Sequence, residues 1–271
     1  MSVNEKMTAI ANNIRDKTGT TKSLTLDQME SGINEVYEAG KKTEYDAFWD
    51  SFQSYGERRG YEQGFYFNCV YTSYKIPVWT DENFKPKYDI KPKGSIEKIF
   101  INCAITDFKG ILEKQGVVFD TSEATCVTSA FESCGQLTRL PVLNFSGVGV
   151  KMSAVFQFCY KLESIDKLIL SNSGTQTFSF PFNSCISLKE IRVEGVIGQN
   201  FPINHSPLSG ESLKSIITHL KNYAGTANEY KYTITLSSSA FEKFEASGQV
   251  PPSGNTWAEH IDNLKWNLTL N

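Results

Sequence analysis

The stretch Phe131–Leu143, FESCGQLTRLPVL, decides the fold, because the chain uses its pattern again. The pattern returns as FQFCYKLESIDKL from Phe156 and as FNSCISLKEIRV from Phe182, and a shortened copy starts with FINC at Phe100. Each full copy begins with Phe-x-x-Cys and continues with apolar residues at three-residue steps, except that Val193 stands one residue early. The successive cysteines of these copies are 31, 25 and 26 residues apart. We number the copies repeats 1 to 4.

A period of about 20 to 29 residues with Leu-x-x-Leu spacing is typical of a leucine-rich solenoid, in which each repeat supplies one short strand. A single repeat cannot bury its own apolar edge, so neighbouring repeats are expected to stack on one another. The spacing therefore predicts a short solenoid over residues 99–199.

The recurrent Phe and Cys are expected to fill a narrow core, with one large and one small side chain at equivalent positions. The predicted core residues are Phe100, Cys103, Phe131, Cys134, Phe156, Cys159, Phe182 and Cys185. Neighbouring repeats could bring two sulfurs close enough for a disulfide, but synthesis in a reducing cytoplasm favours thiols. No metal site and no cofactor are expected, since the sequence has no Cys-x-x-Cys pair and no His beside a Cys.

Residues 1–56 are predicted to form an N-terminal helical module. Apolar residues from Val3 to Ile14 recur at four- and three-residue steps, which places them on one face of a helix. A second helix is expected from Thr25, where TLDQ matches a capping box. Two interpretations are open: a helical hairpin packed on itself, or a short coiled-coil stalk that makes the protein a homo-oligomer such as a trimer.

Residues 57–98 form an aromatic-rich junction between the helical module and the repeats. Of the 34 aromatic residues in the chain, 14 lie between Tyr45 and Tyr88. One interpretation is an N-terminal cap, in which the rings cover the first repeat. The other is an exposed platform for a sugar or a protein partner, because Tyr and Trp join a large apolar face to a polar group. The candidate ligand residues are Tyr61, Tyr66, Tyr71, Tyr74 and Trp79.

Residues 200–271 are predicted to form a C-terminal cap of mixed helix and strand. Helices are expected at 212–222, 239–245 and 257–264, and strands at 230–236 and 266–270. A stack of repeats needs such a cap, because its last apolar face would otherwise meet water. The predicted fold class is therefore α+β: a short leucine-rich solenoid with an N-terminal helical module and an α/β cap.

Composition and charge exclude several classes of protein. With 21% charged and 40% hydrophobic residues, the chain has the composition of a folded soluble protein. A net charge of −3 gives the chain no overall positive potential that would attract nucleic acid. The positive charge of the lysines between residues 85 and 93 is partly offset by nearby acidic residues. No run approaches a membrane span, and the first residues lack the apolar core of a signal peptide. We therefore expect cytoplasmic synthesis, no membrane insertion and no nucleic-acid partner.

No catalytic residues are expected. The three histidines, His205, His219 and His260, lie in no catalytic motif. The sequence also lacks a Gly-x-Ser-x-Gly elbow, a P-loop, a His-Glu-x-x-His zinc motif and a dinucleotide fingerprint. The carboxylates show no spacing that suits paired acid–base work.

The Phe-x-x-Cys-x-x-Leu-x-x-Ile repeat resembles the BspA type of leucine-rich repeat, which occurs in bacterial surface and phage proteins. Four further segments are similar to tail-associated proteins of phages and prophages of Firmicutes: Met7–Val36, Tyr45–Gln53, Trp79–Pro92, and the SPLS stretch from Ser206 with the helix after it. The resemblance covers most of the chain. With only about four repeats, the first of them irregular, the chain departs from models that need a long concave binding face.

The resemblance implies a non-enzymatic tail or virion protein for host-surface recognition or tail structure. The N-terminal module would bind other tail proteins, and the partner at the host would be a surface protein or a glycan. An alternative is an intracellular interaction module acting on a host or competing-phage protein, which fits the expected thiols and the small repeat number equally well. A wall-degrading tail enzyme is a third hypothesis.

Overall fold

The computed structural model describes residues 79–82, 84–86, 89–92, 94–147 and 151–271. The predicted N-terminal module and four of the candidate ligand residues, Tyr61, Tyr66, Tyr71 and Tyr74, lie outside the described residues.

Ten short strands and four helices make up the described chain. In order they are β1 (Gly94–Ser95), α1 (Phe108–Gln115), β2 (Ala124–Cys126), β3 (Arg139–Asn144), β4 (Lys151–Ser153), β5 (Ser164–Ile169), β6 (Thr177–Ser179), β7 (Glu190–Glu194), β8 (Phe201–Pro202), α2 (Gly210–Ile217), β9 (Thr233–Leu236), α3 (Ser238–Glu245), α4 (Trp257–Asn263) and β10 (Asn267–Leu270). Among these helices none is long and apolar enough to cross a membrane.

Parallel pairing brings equivalent residues of the repeats side by side. Strands β3, β5 and β7 form a three-stranded sheet in which Leu140, Ile165 and Ile191 are in register. Strands β4 and β6 form a second parallel pair, and β1 pairs with β2. The mixture of helices with parallel sheets agrees with the predicted α+β class.

The three-residue apolar steps place every third side chain in the core. In β3, Leu140 and Leu143 are fully buried while Arg139 and Val142 are exposed. The pairing of β5 with β7 shifts after Ile165, so that Leu168 lies opposite Val193. The early position of Val193 in the sequence is thus accommodated as an irregularity in the register.

The four repeat phenylalanines form a stacked column through the core. The ring centroids of Phe100, Phe131, Phe156 and Phe182 are 5.2, 5.9 and 5.3 Å apart in turn, with interplanar angles of 17°, 18° and 21°. Both ends of the column are closed by steeply inclined rings, Phe84 at 87° and Phe201 at 60°. All eight predicted core residues are buried.

The C-terminal elements largely follow the sequence-based expectation. Helix α2 begins two residues earlier than predicted and ends five earlier, while α3, α4, β9 and β10 agree to within three residues. Strands β8, β9 and β10 form a parallel sheet beyond the last repeat. Helix α1 was not predicted. It lies within the long interval of 31 residues between Cys103 and Cys134, with Asp107 as its N-cap and Gly116, in the left-handed conformation, as its C-cap.

Candidate functional site

Trp79 lies in the core and not on a surface. Its side chain is only 3% exposed, and its ring meets that of Phe84 edge-on with centroids 5.6 Å apart. Its backbone carbonyl accepts a hydrogen bond from the N–H of Ala104 over 2.7 Å, which ties it to repeat 1. Trp79 is therefore removed from the candidate ligand surface, and its position agrees with the cap interpretation for that residue.

A groove of about 400 Å³ lies between α1 and the outer face of the three-stranded sheet. Its walls include the exposed apolar side chains of Val118 and Val142. At the rim, Lys109 Nζ lies 2.7 Å from Asp166 Oδ2. Paired charges around an apolar floor suit a protein segment better than a charged small molecule.

The charges of this sheet face compensate one another. Arg139 binds Asp107 with two guanidinium nitrogens, and this carboxylate raises the pKa of Arg139. Lys167 Nζ lies 2.5 Å from Glu194 Oε1. Because these side chains already have partners of opposite charge, the sheet face offers little net field to a ligand.

An exposed apolar surface lies on a different side of repeats 3 and 4. We call Phe158, Tyr160 and Ile186 the aromatic edge. Tyr160 is 47% exposed and Ile186 is 58% exposed, and the rings of Phe158 and Tyr160 have centroids 6.1 Å apart. Tyr160 and Ile186 follow the repeat cysteine directly, so they occupy equivalent positions on neighbouring repeats. The edge thus spans two repeats.

Gly135 stands at the same position in repeat 2 and lies beside the ring of Tyr160. A Cβ atom added to Gly135 would lie 3.5 Å from Cδ2 of Tyr160. The tyrosine ring therefore lies close to the backbone of the preceding repeat while 47% of the residue stays exposed.

Backbone geometry indicates that the fold does not require Phe158. The residue before each repeat cysteine has a left-handed backbone, with φ values of 57°, 61°, 62° and 65°. The four residues at this position are Asn102, Ser133, Phe158 and Ser184. Asn and Ser are small polar residues, whereas a bulky residue with positive φ is uncommon and strained. Phe158 is only partly buried, and strain kept at a position that the core does not fill points to a function for the side chain.

A second ring, Phe180, combines exposure with a positive φ. It is 67% exposed with φ of 52°, and it stands two residues before Phe182. The equivalent residues before the other repeat phenylalanines are Lys98, Ser129 and Ala154, which also have positive φ. At this position repeat 4 alone among the four repeats carries a large apolar residue.

The histidines provide no catalytic arrangement within the described residues. His260 Nδ1 lies 2.8 Å from Ser253 Oγ, but its ring is buried against Trp257, and burial lowers its pKa. His219 Nδ1 lies 2.6 Å from the carbonyl of Ser215, and His205 binds the backbone of Ser184. Among the described residues, no three His, Cys, Asp or Glu side chains are grouped so as to hold a metal ion.

The aromatic edge was not predicted, because aromatic density placed the candidate ligand residues in the junction before the repeats. The signal was nevertheless present in the repeats. Aligning them on the cysteine shows Ser, Phe and Ser before it and Gly, Tyr and Ile after it in repeats 2 to 4. Positions that vary within an otherwise regular repeat identify side chains that the stacking does not specify.

Comparisons with known proteins found no match to the chain among family models, curated proteins or solved structures.

Proposed function

We propose that the chain is a non-enzymatic recognition protein of a phage or prophage tail, and that its repeats form a short leucine-rich solenoid of BspA type. The aromatic edge carries the recognition role, because it combines open apolar area with a strained, non-essential Phe. The phage assignment rests on the resemblance of the repeats and flanking segments to Firmicutes tail proteins.

Several features support the solenoid. The repeats pair in parallel, their phenylalanines stack, and their cysteine sulfurs follow one hydrogen-bonding rule. The Sγ atoms of Cys134, Cys159 and Cys185 lie 2.9, 3.0 and 3.1 Å from the carbonyl oxygen of the repeat phenylalanine one repeat earlier. A unit that repeats its internal contacts in this way propagates along one axis.

The chemistry around the aromatic edge suits a largely neutral glycan of the host surface. Tyr160 offers an open ring face with a hydroxyl, which can stack on a sugar and hydrogen-bond to it. The positions beside it in the three repeats are Gln136, Lys161 and Ser187, and Lys161 donates to Gln136 over 2.6 Å. Amide and hydroxyl groups therefore outnumber charges around the rings.

The tail assignment is tested on particles. Gradient-purified phage particles from the source culture should contain the chain by mass spectrometry in a fixed ratio to the major tail protein. Finding it only in the cell lysate, with none in intact particles, would contradict the assignment and favour the intracellular interaction module.

The recognition surface is tested on the full chain with an array of bacterial cell-surface glycans. Tyr160→Ala should abolish binding to any glycan that the wild type retains, whereas Tyr160→Phe should keep most of it because the ring remains. Ile186→Asn should weaken binding, and Val250→Asn, an exposed change in the C-terminal cap, serves as the control.

The groove on the sheet face supports a second candidate function, binding of a protein segment. Its apolar floor at Val118 and Val142 and its rim of paired charges resemble the core and rim of a protein interface. Val142→Glu would impair such binding and leave glycan binding intact. Tyr160→Ala would have the opposite pattern, so the two variants distinguish the candidates.

A further inference from the structure

Two buried cysteines at one end of the repeat stack have their sulfur atoms in direct contact. Cys103 Sγ lies 3.1 Å from Cys134 Sγ, and both side chains are at most 3% exposed. A disulfide bond is about 2.05 Å long, so a movement of roughly 1 Å would bring the sulfurs to bonding distance. The five cysteines of the described chain are free thiols.

The hydrogen-bonding rule of the cysteine column explains why this contact forms at Cys103. In repeats 2 to 4 the sulfur lies against a phenylalanine carbonyl of the preceding repeat. Repeat 1 has no full Phe-x-x-Cys repeat before it, and Cys103 contacts the sulfur of Cys134 instead. The first pair of the column is therefore arranged differently from those that follow.

We propose that Cys103 and Cys134 form a disulfide when the folded protein meets a peroxide outside a reducing cell. Hydrogen peroxide oxidises one thiol to a sulfenic acid and releases water. The second thiol then attacks that sulfur, the S–S bond forms, and a second water leaves. The two thiols lose two protons and two electrons in total, and the two waters account for the atoms of the peroxide.

Access of oxidant to this pair follows from its place in the stack. Burial raises the pKa of the Cys134 thiol, and the neighbouring thiols of Cys103 and Cys159 raise it further, so the reactive thiolate is scarce in the closed state. End repeats of such arrays open more readily than internal ones, because only one side is covered by a full repeat. Oxidation is therefore slow at neutral pH, faster at alkaline pH, and selective for the pair at the end.

The disulfide would staple repeat 1 to repeat 2. It closes a segment of 31 residues that contains α1 and the wall of the groove formed by α1 and Val118. A cross-link of this length removes conformational freedom from the unfolded chain and stabilises the folded one. The end of the stack would become more resistant to opening after release from the cell.

The test uses the full chain with Cys69→Ser and Cys126→Ser, which leaves the four cysteines of the column. Folded protein is treated with hydrogen peroxide, quenched with catalase, unfolded and alkylated with N-ethylmaleimide. We expect two of the four thiols to be lost and non-reducing peptide mass spectrometry to find Cys103 linked to Cys134. The midpoint of thermal unfolding should rise by a few degrees, and dithiothreitol should reverse both changes.

Two variants serve as controls for the identity of the linked cysteines. Cys103→Ser, at the end of the column, should keep its three remaining thiols alkylatable under the same treatment, and Cys185→Ser should still form the link. The unfolded protein, oxidised in parallel, shows that the reagents work. A link through Cys159 or Cys185, or no link in the folded protein while the unfolded one cross-links, would overturn the proposal.

Discussion

The backbone N–H of Ser184 donates to Nδ1 of His205 over 3.1 Å, in place of a bond to a further repeat. At the same position, Asn102, Ser133 and Phe158 donate instead to carbonyl oxygens of the next repeat, those of Glu132, Gln157 and Asn183, over 2.7 to 2.9 Å. The Phe-x-x-Cys pattern does not return after Cys185, so no equivalent carbonyl is available to Ser184. A histidine side chain thus ends this column of backbone hydrogen bonds.

Helix α2 ends the sheet by the same principle. The N–H groups of Ile191 and Val193 on β7 donate to the hydroxyls of Ser212 and Ser215 over 2.9 and 2.8 Å. An open edge of a parallel sheet would invite pairing with another chain. The two serine hydroxyls accept hydrogen bonds from the edge strand β7, so these N–H groups have partners without a further strand.

Replacing His205 by Ala should destabilise the protein slightly. The Ser184 N–H loses its acceptor but can reach water, so the free energy of unfolding should fall by about 0.5 to 1 kcal/mol in urea titrations. His205→Asn should retain most of the stability, because its amide oxygen can accept the same bond. Equal losses in both variants would show that the ring packing, and not the acceptor, matters.

Ser212→Ala should be more costly. Its hydroxyl is buried and accepts from the N–H of Ile191, which loses this acceptor in the variant, whereas the carbonyl of Lys189 keeps the N–H of Ser209 as a donor. Leaving buried polar groups unsatisfied costs about 1 to 3 kcal/mol, measured as the free energy of unfolding.

Thr218→Ala is the matched control for Ser212→Ala. Its exposed hydroxyl donates to the Lys214 carbonyl one turn earlier on the same chain segment, so its loss should change stability by less than about 0.5 kcal/mol. A similar cost for the two variants would contradict the role of Ser212 as the terminator of the sheet.

The repeat pattern predicted the residues of the core, but it did not predict helix α1 or the serine side chains that bind the edge of the sheet. Phe156 and Cys159 could be placed in the core because stacking demands the same large and small side chains in each repeat. Ser212 and Ser215 look like ordinary residues of an amphipathic helix. Their role is to accept hydrogen bonds from β7 at the sheet edge, where a further strand would otherwise pair, and the helix sequence itself does not show this. Helix α1 had recognisable caps at Asp107 and Gly116, yet only two of its residues are buried, so its apolar periodicity is weak.

The candidate site was less predictable than the core. The sequence favoured the dense aromatic junction, but Trp79 serves to cover repeat 1. Aromatic density alone does not distinguish a ring that is covered from one that stays open, because coverage depends on which segments pack together. Tyr160 is 47% exposed and occupies the position of Gly135 and Ile186 in the neighbouring repeats, a relation that is visible only once the repeats are aligned.

Phe180→Asn should stabilise the fold. Phe180 is largely exposed and has φ of 52°, so the change loses little packing and places a residue that tolerates the left-handed region. We expect the free energy of unfolding to rise by about 1 kcal/mol. Ile186→Asn is the control, because it removes an equally exposed apolar side chain that has no positive φ. A gain in both variants would indicate a general benefit of polar surface and not relief of strain.

The C-terminal cap should lose stability in mild acid through His260. Burial lowers its pKa in the folded protein from the ordinary value of 6.5, so the unfolded chain binds this proton more readily. Unfolding then takes up a proton, and the free energy of unfolding falls as the pH drops below about 6.5 until the folded-state pKa is passed. Urea titrations at pH 7.5, 6.5 and 5.5 measure this slope. His260→Gln and His260→Asn differ in size but neither titrates, so both should flatten it, whatever their stability at pH 7.5. An unchanged slope in both variants would assign the acid sensitivity to other groups.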